Sequence, residues 1–255
     1  MTHEETIQRL MELRLLSIVA MLREWSTNPP PIHTTFEERL ALLVDNEVME
    51  RKNRVIARRL RDAKLPLPAT LEDIWCDPAR GIDKATARTF ATCQWVRAKQ
   101  NIIAIGATGV GKSYVGAALA QAACRNGFRA LCVRVPRLVH QLAVARADGS
   151  YPKVLDQLAK THVLVLDDFL VAPMKDTERR DLLEVLEDRY GHSSTVITTQ
   201  VPTKGWHESI GEPTIADAIC DRLVHNAHVL VLRGGSMRKK QGLESTQPEK
   251  STNPA

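Results

Sequence analysis

One segment of the chain has the residue types and spacing of a phosphate-binding loop. It reads Gly106-Ala-Thr-Gly-Val-Gly-Lys112-Ser113 and matches the pattern G-x-x-x-x-G-K-[ST]. Glycines let the backbone pass close to a ligand, so that successive N–H groups can point at phosphate oxygens. The amine of Lys112 can reach the β- and γ-phosphates, and the hydroxyl of Ser113 can bind Mg²⁺. The segment therefore predicts a nucleotide site with Mg²⁺.

Two carboxylates follow an apolar run downstream of this loop. The run Val163–Leu166 is followed by Asp167 and Asp168. A buried parallel strand ends at the same rim of the sheet as the phosphate loop, so we expect Asp167 to join Ser113 in the Mg²⁺ shell. Asp168 is expected to orient or deprotonate a water molecule. Two acids after a strand also suit the cap of a following helix, and this is the alternative interpretation. The residues predicted to contact the nucleotide are Gly106, Ala107, Thr108, Gly109, Val110, Gly111, Lys112, Ser113, Tyr114 and Asp167.

Short apolar runs rich in β-branched residues alternate with helical stretches from residue 101 onward. Such alternation is typical of a parallel sheet flanked by helices, so the predicted fold class is α/β. The predicted strands are Ile102–Ile105, Ala130–Val135, Val163–Leu166, Thr195–Thr199 and Val229–Leu232.

The chain before residue 101 has a different pattern. Apolar spacing predicts one helix over residues 4–25 and a second from Thr35 to about Lys64, with prolines after each. The predicted division is residues 1–65, a small helical domain; 66–100, a connector with two tryptophans and a short helix; 101–240, the α/β domain; and 241–255, a polar tail that we expect to be disordered.

The second predicted helix ends in a strongly basic stretch. Residues 51–64 contain seven basic residues and one acidic residue, a local sum of +6. A cationic helix face can follow a phosphate backbone without reading sequence, and the scarcity of aromatic residues favours duplex DNA over single strands. A solvated helix face is the alternative. The predicted DNA contacts are Arg51, Lys52, Arg54, Arg58, Arg59, Arg61 and Lys64.

The composition is that of a globular protein. Of 255 residues, 44% are hydrophobic and 25% are charged, with a net charge of +5, so a wholly disordered chain is excluded. No apolar run approaches the ~20 residues of a membrane span. The acidic start is unlike a secretory signal, and the five scattered cysteines suggest reduced thiols. We therefore expect a cytoplasmic protein without a membrane partner.

The phosphate loop, the acidic strand and the strand between them together resemble the AAA+ ATPases. The resemblance implies a sensor at the end of the strand Thr195–Thr199, with Gln200 as first choice and Thr199 as second. It also implies that Arg222 reaches the nucleotide of a neighbouring subunit and that Arg238 approaches the γ-phosphate of its own. A local salt bridge for Arg222 and a solvated basic tail for Arg238 are the alternatives. Asp168 stands where most members have Glu.

Further segments resemble the IstB-like helper ATPases of bacterial insertion sequences, relatives of the DnaC helicase loaders. These segments are Phe36-Glu-Glu-Arg-Leu, Pro68-Ala-Thr-Leu-Glu-Asp-Ile, Ala145-Arg-Ala-Asp-Gly-Ser-Tyr151, Leu182-Leu-Glu-Val-Leu-Glu-Asp-Arg-Tyr190 and Asp221-Arg-Leu-Val-His-Asn-Ala-His228. One departure is Leu170, where a glycine is usual. The resemblance implies a protein that binds ATP and Mg²⁺, oligomerises on duplex DNA, deforms it and presents it to a partner transposase. ATP hydrolysis would then permit disassembly or hand-over.

Three other functions remain open at this point. A helicase loader would share the ATPase core and act on a replicative helicase. A P-loop kinase for a small metabolite would need an acceptor pocket and a mobile arginine-bearing lid, and the sequence offers neither clearly. A nucleotide switch that scarcely hydrolyses ATP remains possible because Asp168 is one methylene shorter than Glu.

Overall fold

The computed structural model describes residues 2–237, which divide into two compact units. The first unit ends at Arg58 and the second begins at Arg59. The predicted sensor Arg238 and the predicted tail 241–255 lie outside the described residues. Among the residues described, no helix is long and apolar enough to cross a membrane.

The first unit is helical, as its apolar spacing predicts. Its elements are α1 (His3–Glu12), α2 (Leu16–Thr27) and the greater part of α3 (Phe36–Asp62). The prediction of one continuous helix over residues 4–25 was wrong. Arg14 adopts a left-handed backbone conformation, with φ at 58°, and this reverses the chain between α1 and α2.

A buried carboxylate holds α2 against α3 in this unit. Glu47 is only 4% exposed, and it accepts hydrogen bonds from the Ser17 amide at 3.0 Å and from the Arg51 guanidinium at 2.7 Å. Burial acts to raise the pKa of Glu47, but the hydrogen bonds from Arg51 and Ser17 outweigh burial and lower that pKa. Arg54 lies 3.6 Å from the same carboxylate and donates to the Ser17 hydroxyl. Two of the predicted DNA contacts, Arg51 and Arg54, are therefore also part of the internal packing.

The second unit is built on a five-stranded parallel sheet with strand order β2-β3-β4-β1-β5. The five predicted strands are all confirmed. They are β1 (Asn101–Gly106), β2 (Ala130–Arg134), β3 (Val163–Phe169), β4 (Ser194–Thr199) and β5 (Ala227–Leu232). The third strand continues further than its apolar run predicts, so Asp167 and Asp168 belong to the end of β3.

Helices cover both faces of this sheet. Side chains of β1 alternate between two cores: Ile102 and Ala104 pack on one face, and Ile103 and Ile105 pack on the other. The first face is covered by α4 (Lys84–Ala91), α5 (Gln94–Arg97) and α6 (Lys112–Arg125). The second face is covered by α7 (Val135–Asp148), α8 (Tyr151–Ala159), α9 (Asp176–Arg189), α10 (Trp206–Ile210) and α11 (Pro213–Val224).

A polar cluster joins three helices of the second face. Arg146 on α7 donates to Asp181 on α9 at 2.5 Å and lies over the ring of Tyr151 on α8. The Tyr151 hydroxyl donates to Asp181 at 3.0 Å and to Glu184 at 2.7 Å. Burial and the two neighbouring carboxylates raise the pKa of Tyr151, so this phenol stays protonated and remains a donor.

The end of α3 is attached to the sheet. Ala63 is completely buried, and its carbonyl accepts a hydrogen bond from the Cys132 amide of the edge strand β2 at 2.8 Å. Helix α3 was expected to continue to about Lys64, but it ends at Asp62, and Lys64 is left-handed with φ at 51°. The last turn of the basic helix is thus anchored in the second unit.

The segment 66–100 shares the core of the second unit. Leu71, Phe90 and Trp95 are buried in the same core as α6. It contains a 3-10 turn at Pro78–Arg80 and two short helices, α4 and α5, where the sequence predicted one.

Candidate functional site

The glycine-rich loop lies between β1 and α6. Gly109 and Gly111 have φ angles of 85° and 104°, a left-handed backbone conformation that residues other than glycine rarely adopt. At Gly109 a side chain would also collide with Ser236. The loop ends at the first residue of α6, Lys112, so it leads into the positive end of a helix dipole. This geometry provides the anion site that the motif predicts.

Four polar side chains lie in or beside the loop. Lys112 is only 8% exposed, and its amine donates to the Ala107 carbonyl at 2.9 Å. The Ser113 hydroxyl donates to a carboxylate oxygen of Asp167 at 2.9 Å, and the Thr198 hydroxyl donates to the same oxygen. The structure therefore brings together the loop and the acidic strand as predicted.

The same residues offer a donor set that suits Mg²⁺. A hydroxyl and a carboxylate are hard oxygen ligands, and Mg²⁺ commonly uses one or two of these and completes its shell with phosphates and water. Within residues 2–237 no group of three or more His, Cys, Asp or Glu side chains could hold a metal ion alone. The site thus fits a cation that arrives with a nucleotide.

Asp168 has an unusual backbone and a strong partner. Its φ is 57°, and the pairing of β3 with β4 shifts register between Leu166 and Phe169. Its carboxylate accepts a hydrogen bond from Arg134 Nε at 2.8 Å and forms an ion pair with Arg134 Nη2 at 2.5 Å. The hydrogen bond and charge of Asp168 raise the pKa of Arg134. Sequence analysis missed Arg134, although the carboxyl ends of neighbouring parallel strands must meet, and Arg134 ends β2 next to β3.

The two candidate sensor residues have different environments. The Thr108 hydroxyl in the glycine-rich loop donates to the Gln200 side-chain oxygen at 2.9 Å. The Thr199 hydroxyl donates to the Phe169 carbonyl at 2.8 Å, and Thr199 is only 1% exposed. Of the two, Gln200 is therefore the one whose side chain contacts the loop.

Two further residues beside the loop were missed by sequence analysis. The Arg80 guanidinium donates to the Val110 carbonyl at 3.1 Å and lies 5.1 Å from the ring centroid of Trp75. Trp75 is 51% exposed, which is high for a tryptophan. The predicted contact Tyr114 instead packs against the core, with its hydroxyl 3.5 Å from the Thr70 amide. The sequence showed Trp75 only as one of two tryptophans in segment 66–100, and no local pattern linked it or Arg80 to the loop.

Arg222 lies at the opposite edge of the sheet from the loop. Its carbonyl accepts from the side chain of Asn101, the first residue of β1, whereas the loop follows Gly106, the last. A strand of this length spans roughly 17 Å, more than an arginine side chain can reach. Arg222 donates to Glu187 at 2.9 Å and lies 3.7 Å from Asp221, so the alternative of a local salt bridge is present in the isolated chain.

The residues predicted to contact DNA differ in the solvent exposure of their side chains and in whether those side chains already bind other residues. Lys52 and Arg58 are exposed and belong to the first unit. Arg59 is half-buried, whereas Arg61 and Lys64 are exposed in the second unit. Because Arg51 and Arg54 already bind Glu47, Lys52 and Arg58 are the most informative positions for a test.

Comparison with known proteins identifies the family. The family model described as IstB-like ATP binding protein matches residues 8–245 of this chain. The chain belongs to this IstB-like family. Two insertion sequence ATP-binding proteins of Sinorhizobium fredii are 42% and 40% identical to it, each over 94% of this chain and over 98% and 96% of their own lengths. An IS1162 ATP-binding protein of Pseudomonas fluorescens is 41% identical over 80% of this chain and 88% of its own.

Solved structures with the same fold include two proteins of DNA replication. The DnaC helicase loader aligns with a TM-score of 0.54 and 20% identity, over 65% of this chain and 97% of its own. AMPPCP-bound DnaA from Aquifex aeolicus aligns with a TM-score of 0.56 and 14% identity, over 73% of this chain and 57% of its own. These likenesses confirm the α/β fold of this IstB-like protein, a parallel sheet covered by helices.

Proposed function

We propose that this IstB-like protein is an ATPase that oligomerises on duplex target DNA and presents it to a partner transposase. The observation that carries the proposal is the meeting of Lys112, the Ser113–Asp167 pair and Asp168 at one rim of the sheet, in a chain of the IstB-like family. Each of these groups has a task in phosphoryl transfer, and their order along the chain is that of a P-loop ATPase.

The chemistry we assign is hydrolysis of ATP. The loop amides and Lys112 bind the phosphates, and Ser113 and Asp167 would hold Mg²⁺, which when bound neutralises charge on the β- and γ-phosphates. Asp168 would orient or deprotonate the attacking water, with Gln200 beside the terminal phosphate. The ion pair with Arg134 holds the Asp168 carboxylate in place.

The oligomer follows from the separation of the loop and Arg222. Since the two lie at opposite edges of one sheet, Arg222 can reach a nucleotide only in another copy packed head to tail. Contacts of this kind are heterologous and build rings or filaments. An arginine supplied in this way can stabilise transition-state charge by a large factor.

The proposed DNA interaction is electrostatic. Exposed basic residues near the end of α3, including Lys52 and Arg58, suit the phosphate backbone of a duplex and carry no base-reading geometry. An oligomer with many phosphate contacts could offset the few kcal/mol that bending DNA costs. Hydrolysis would then drive disassembly or hand-over to the transposase.

A second candidate function is a nucleotide switch that hydrolyses ATP slowly. The observation favouring it is the hydrogen-bonded ion pair between Arg134 and Asp168, which occupies the proposed base. Single-turnover hydrolysis with and without duplex DNA separates the two. Slow hydrolysis at a rate that duplex DNA does not change supports the switch. Hydrolysis that duplex DNA accelerates supports the ATPase.

The central experiment is size-resolved light scattering with duplex DNA, at two salt concentrations, with ATP, ADP or no nucleotide. We expect a large, salt-sensitive assembly with ATP and DNA together. The double variant Lys52→Glu with Arg58→Glu should lose DNA binding and keep nucleotide binding. Lys84→Glu with Arg88→Glu, which reverses two exposed charges on α4, is the matched control and should bind DNA normally.

The same preparation can distinguish a transposase helper from a helicase loader. The assembly formed with ATP and DNA is offered separately to the partner transposase and to a replicative helicase. Retention of the transposase alone supports the proposed function. Retention of the helicase alone would replace it with the loader function.

A further inference from the structure

A polar cavity lies at the edge of the sheet where the strands begin. Its volume is about 160 Å³, and its lining includes the cationic side chains Lys99, Arg189 and Arg222 and no carboxylate. Asn101 and Asn226 add amide groups to the wall. The cavity is therefore suited to an anion.

The floor of the cavity carries a buried positive charge. Arg189 is only 1% exposed, and its guanidinium donates to the carbonyls of Leu158, Thr161 and Ser194 and to the Thr195 hydroxyl. These acceptors are neutral, so none of them cancels the charge. Burial lowers the pKa of Arg189 to about 9, which still leaves it protonated at neutral pH.

Lys99 differs from Arg189 and Arg222 in that its ammonium group is available to bind a ligand. Its backbone is held at the turn before β1 by a left-handed φ of 56° and by the Asn226 amide, which donates to its carbonyl at 3.3 Å. Within residues 2–237 its amine forms no ion pair. Arg222 by contrast pairs with Glu187. A fixed backbone with a free amine beside Arg222 is the arrangement of a second anion ligand.

We propose that this cavity receives the terminal phosphate of ATP bound to a second copy of the chain, with Lys99 as a second cation beside Arg222. The inference rests on the head-to-tail oligomer of the proposed function. In that oligomer the loop edge of one copy, which carries Asp167, Asp168 and the nucleotide, meets the cationic edge of the next. Tyr190, 51% exposed at the cavity, offers an apolar surface for that contact.

The test is complementation between two inactive variants. Lys99→Ala should keep ATP affinity and lose at least about tenfold in kcat. Lys112→Ala should lose ATP binding but retain an intact cationic edge. In a mixture, ATP held by the Lys99→Ala subunit faces the Lys99 and Arg222 of a Lys112→Ala subunit, so hydrolysis should reappear, at about one interface in four for equal mixing. Lys99→Arg should restore activity without mixing.

Two further mixtures interpret the outcome. Arg222→Ala mixed with Lys112→Ala is the positive control for the head-to-tail arrangement, and Lys160→Ala, which changes an exposed lysine before β3 outside the cavity, should keep its activity unmixed. Rescue of Arg222→Ala without rescue of Lys99→Ala would overturn the role of Lys99 and leave the proposed function standing. Rescue of neither would overturn the head-to-tail arrangement itself. Unchanged kcat in the unmixed Lys99→Ala variant would likewise overturn the role of Lys99.

Discussion

Asp168 combines two constraints at the end of β3. Its backbone is left-handed, with φ at 57°, and Arg134 holds its carboxylate by a hydrogen bond within an ion pair. A non-glycine residue in this conformation costs of the order of 1 kcal/mol and persists where its surroundings fix it. The backbone strain and the ion pair both affect the Asp168 carboxylate, which we propose orients the attacking water.

Replacing Arg134 should release this carboxylate. We expect Arg134→Ala to raise the single-turnover rate of ATP hydrolysis several-fold, because a carboxylate that is not bound by a guanidinium can contact the attacking water. Nucleotide affinity should not change, and rapid-quench measurements with saturating ATP would check both. Arg134→Lys, which keeps the charge and loses the paired geometry, should lie between the two. A slower Arg134→Ala enzyme would contradict this assignment.

Substitution of the two candidate sensor residues, Gln200 and Thr199, should have different effects. Gln200→Ala should bind ATP normally and lose about tenfold or more in hydrolysis, because its side chain lies beside the loop residue Thr108. Thr199→Val should instead lower the free energy of unfolding by about 1–3 kcal/mol, since the buried Phe169 carbonyl loses its donor. Denaturant titration and steady-state kinetics on both variants give the comparison. Loss of hydrolysis only in Thr199→Val would reverse the order of choice.

The meeting of the phosphate loop and the acidic pair at one rim was predictable from the sequence, because each is a local pattern with fixed spacing. Their roles in nucleotide binding and hydrolysis stay predictions. It did not predict Arg134, which reaches Asp168 only through strand pairing between residues 34 positions apart. Leu170 shows a third case. The family resemblance predicts a glycine at this position, and the left-handed φ of 57° explains that preference. The leucine side chain is only 7% exposed, so its burial accompanies this backbone conformation.

At the scale of elements, α7, α8 and α9 are joined by the polar cluster of Arg146, Tyr151, Asp181 and Glu184. Tyr151 contacts the other three members through its hydroxyl and its ring. Because both carboxylates accept from one hydroxyl, this residue holds α8 in place on the second face of the sheet.

Tyr151→Phe should therefore destabilise the second unit without touching nucleotide binding. We expect the free energy of unfolding to fall by about 1–3 kcal/mol, the cost of removing one buried donor from two charged acceptors. Tyr190→Phe, at an exposed position, is the matched control and should leave stability unchanged. Urea unfolding followed by circular dichroism measures both, and equal stability of the two variants would show that the cluster carries no net energy.

The ends of helices and strands were predictable where the periodicity of apolar residues sets them. They were not predictable where the backbone conformation of a single residue interrupts a helix. All five strands follow from their β-branched runs. The break between α1 and α2 depends on one left-handed residue, Arg14, which no apolar spacing reveals. The two short helices of segment 66–100 were merged into one because Cys93, between them, is a buried left-handed residue in an otherwise helical stretch.

At the scale of the molecule, nucleotide binding and assembly are expected to fail together. Lys112→Ala removes the buried amine of the loop, so ATP affinity should fall by about 100-fold or more, the effect of losing a charged hydrogen bond to phosphate. The ATP-dependent increase in particle size on DNA should then disappear, while weak, salt-sensitive DNA binding persists. Fluorescent-nucleotide titration and light scattering report the two effects. ATP-dependent assembly by Lys112→Ala would separate the functions that we link.

The hydrogen bond between Ala63 and Cys132 joins the residue that follows α3 to the edge strand β2. Cys132 and Arg134 belong to the same strand, two residues apart, and Arg134 forms an ion pair with Asp168. One short strand therefore contacts both the chain that leaves the basic stretch and the carboxylate that we propose orients the attacking water.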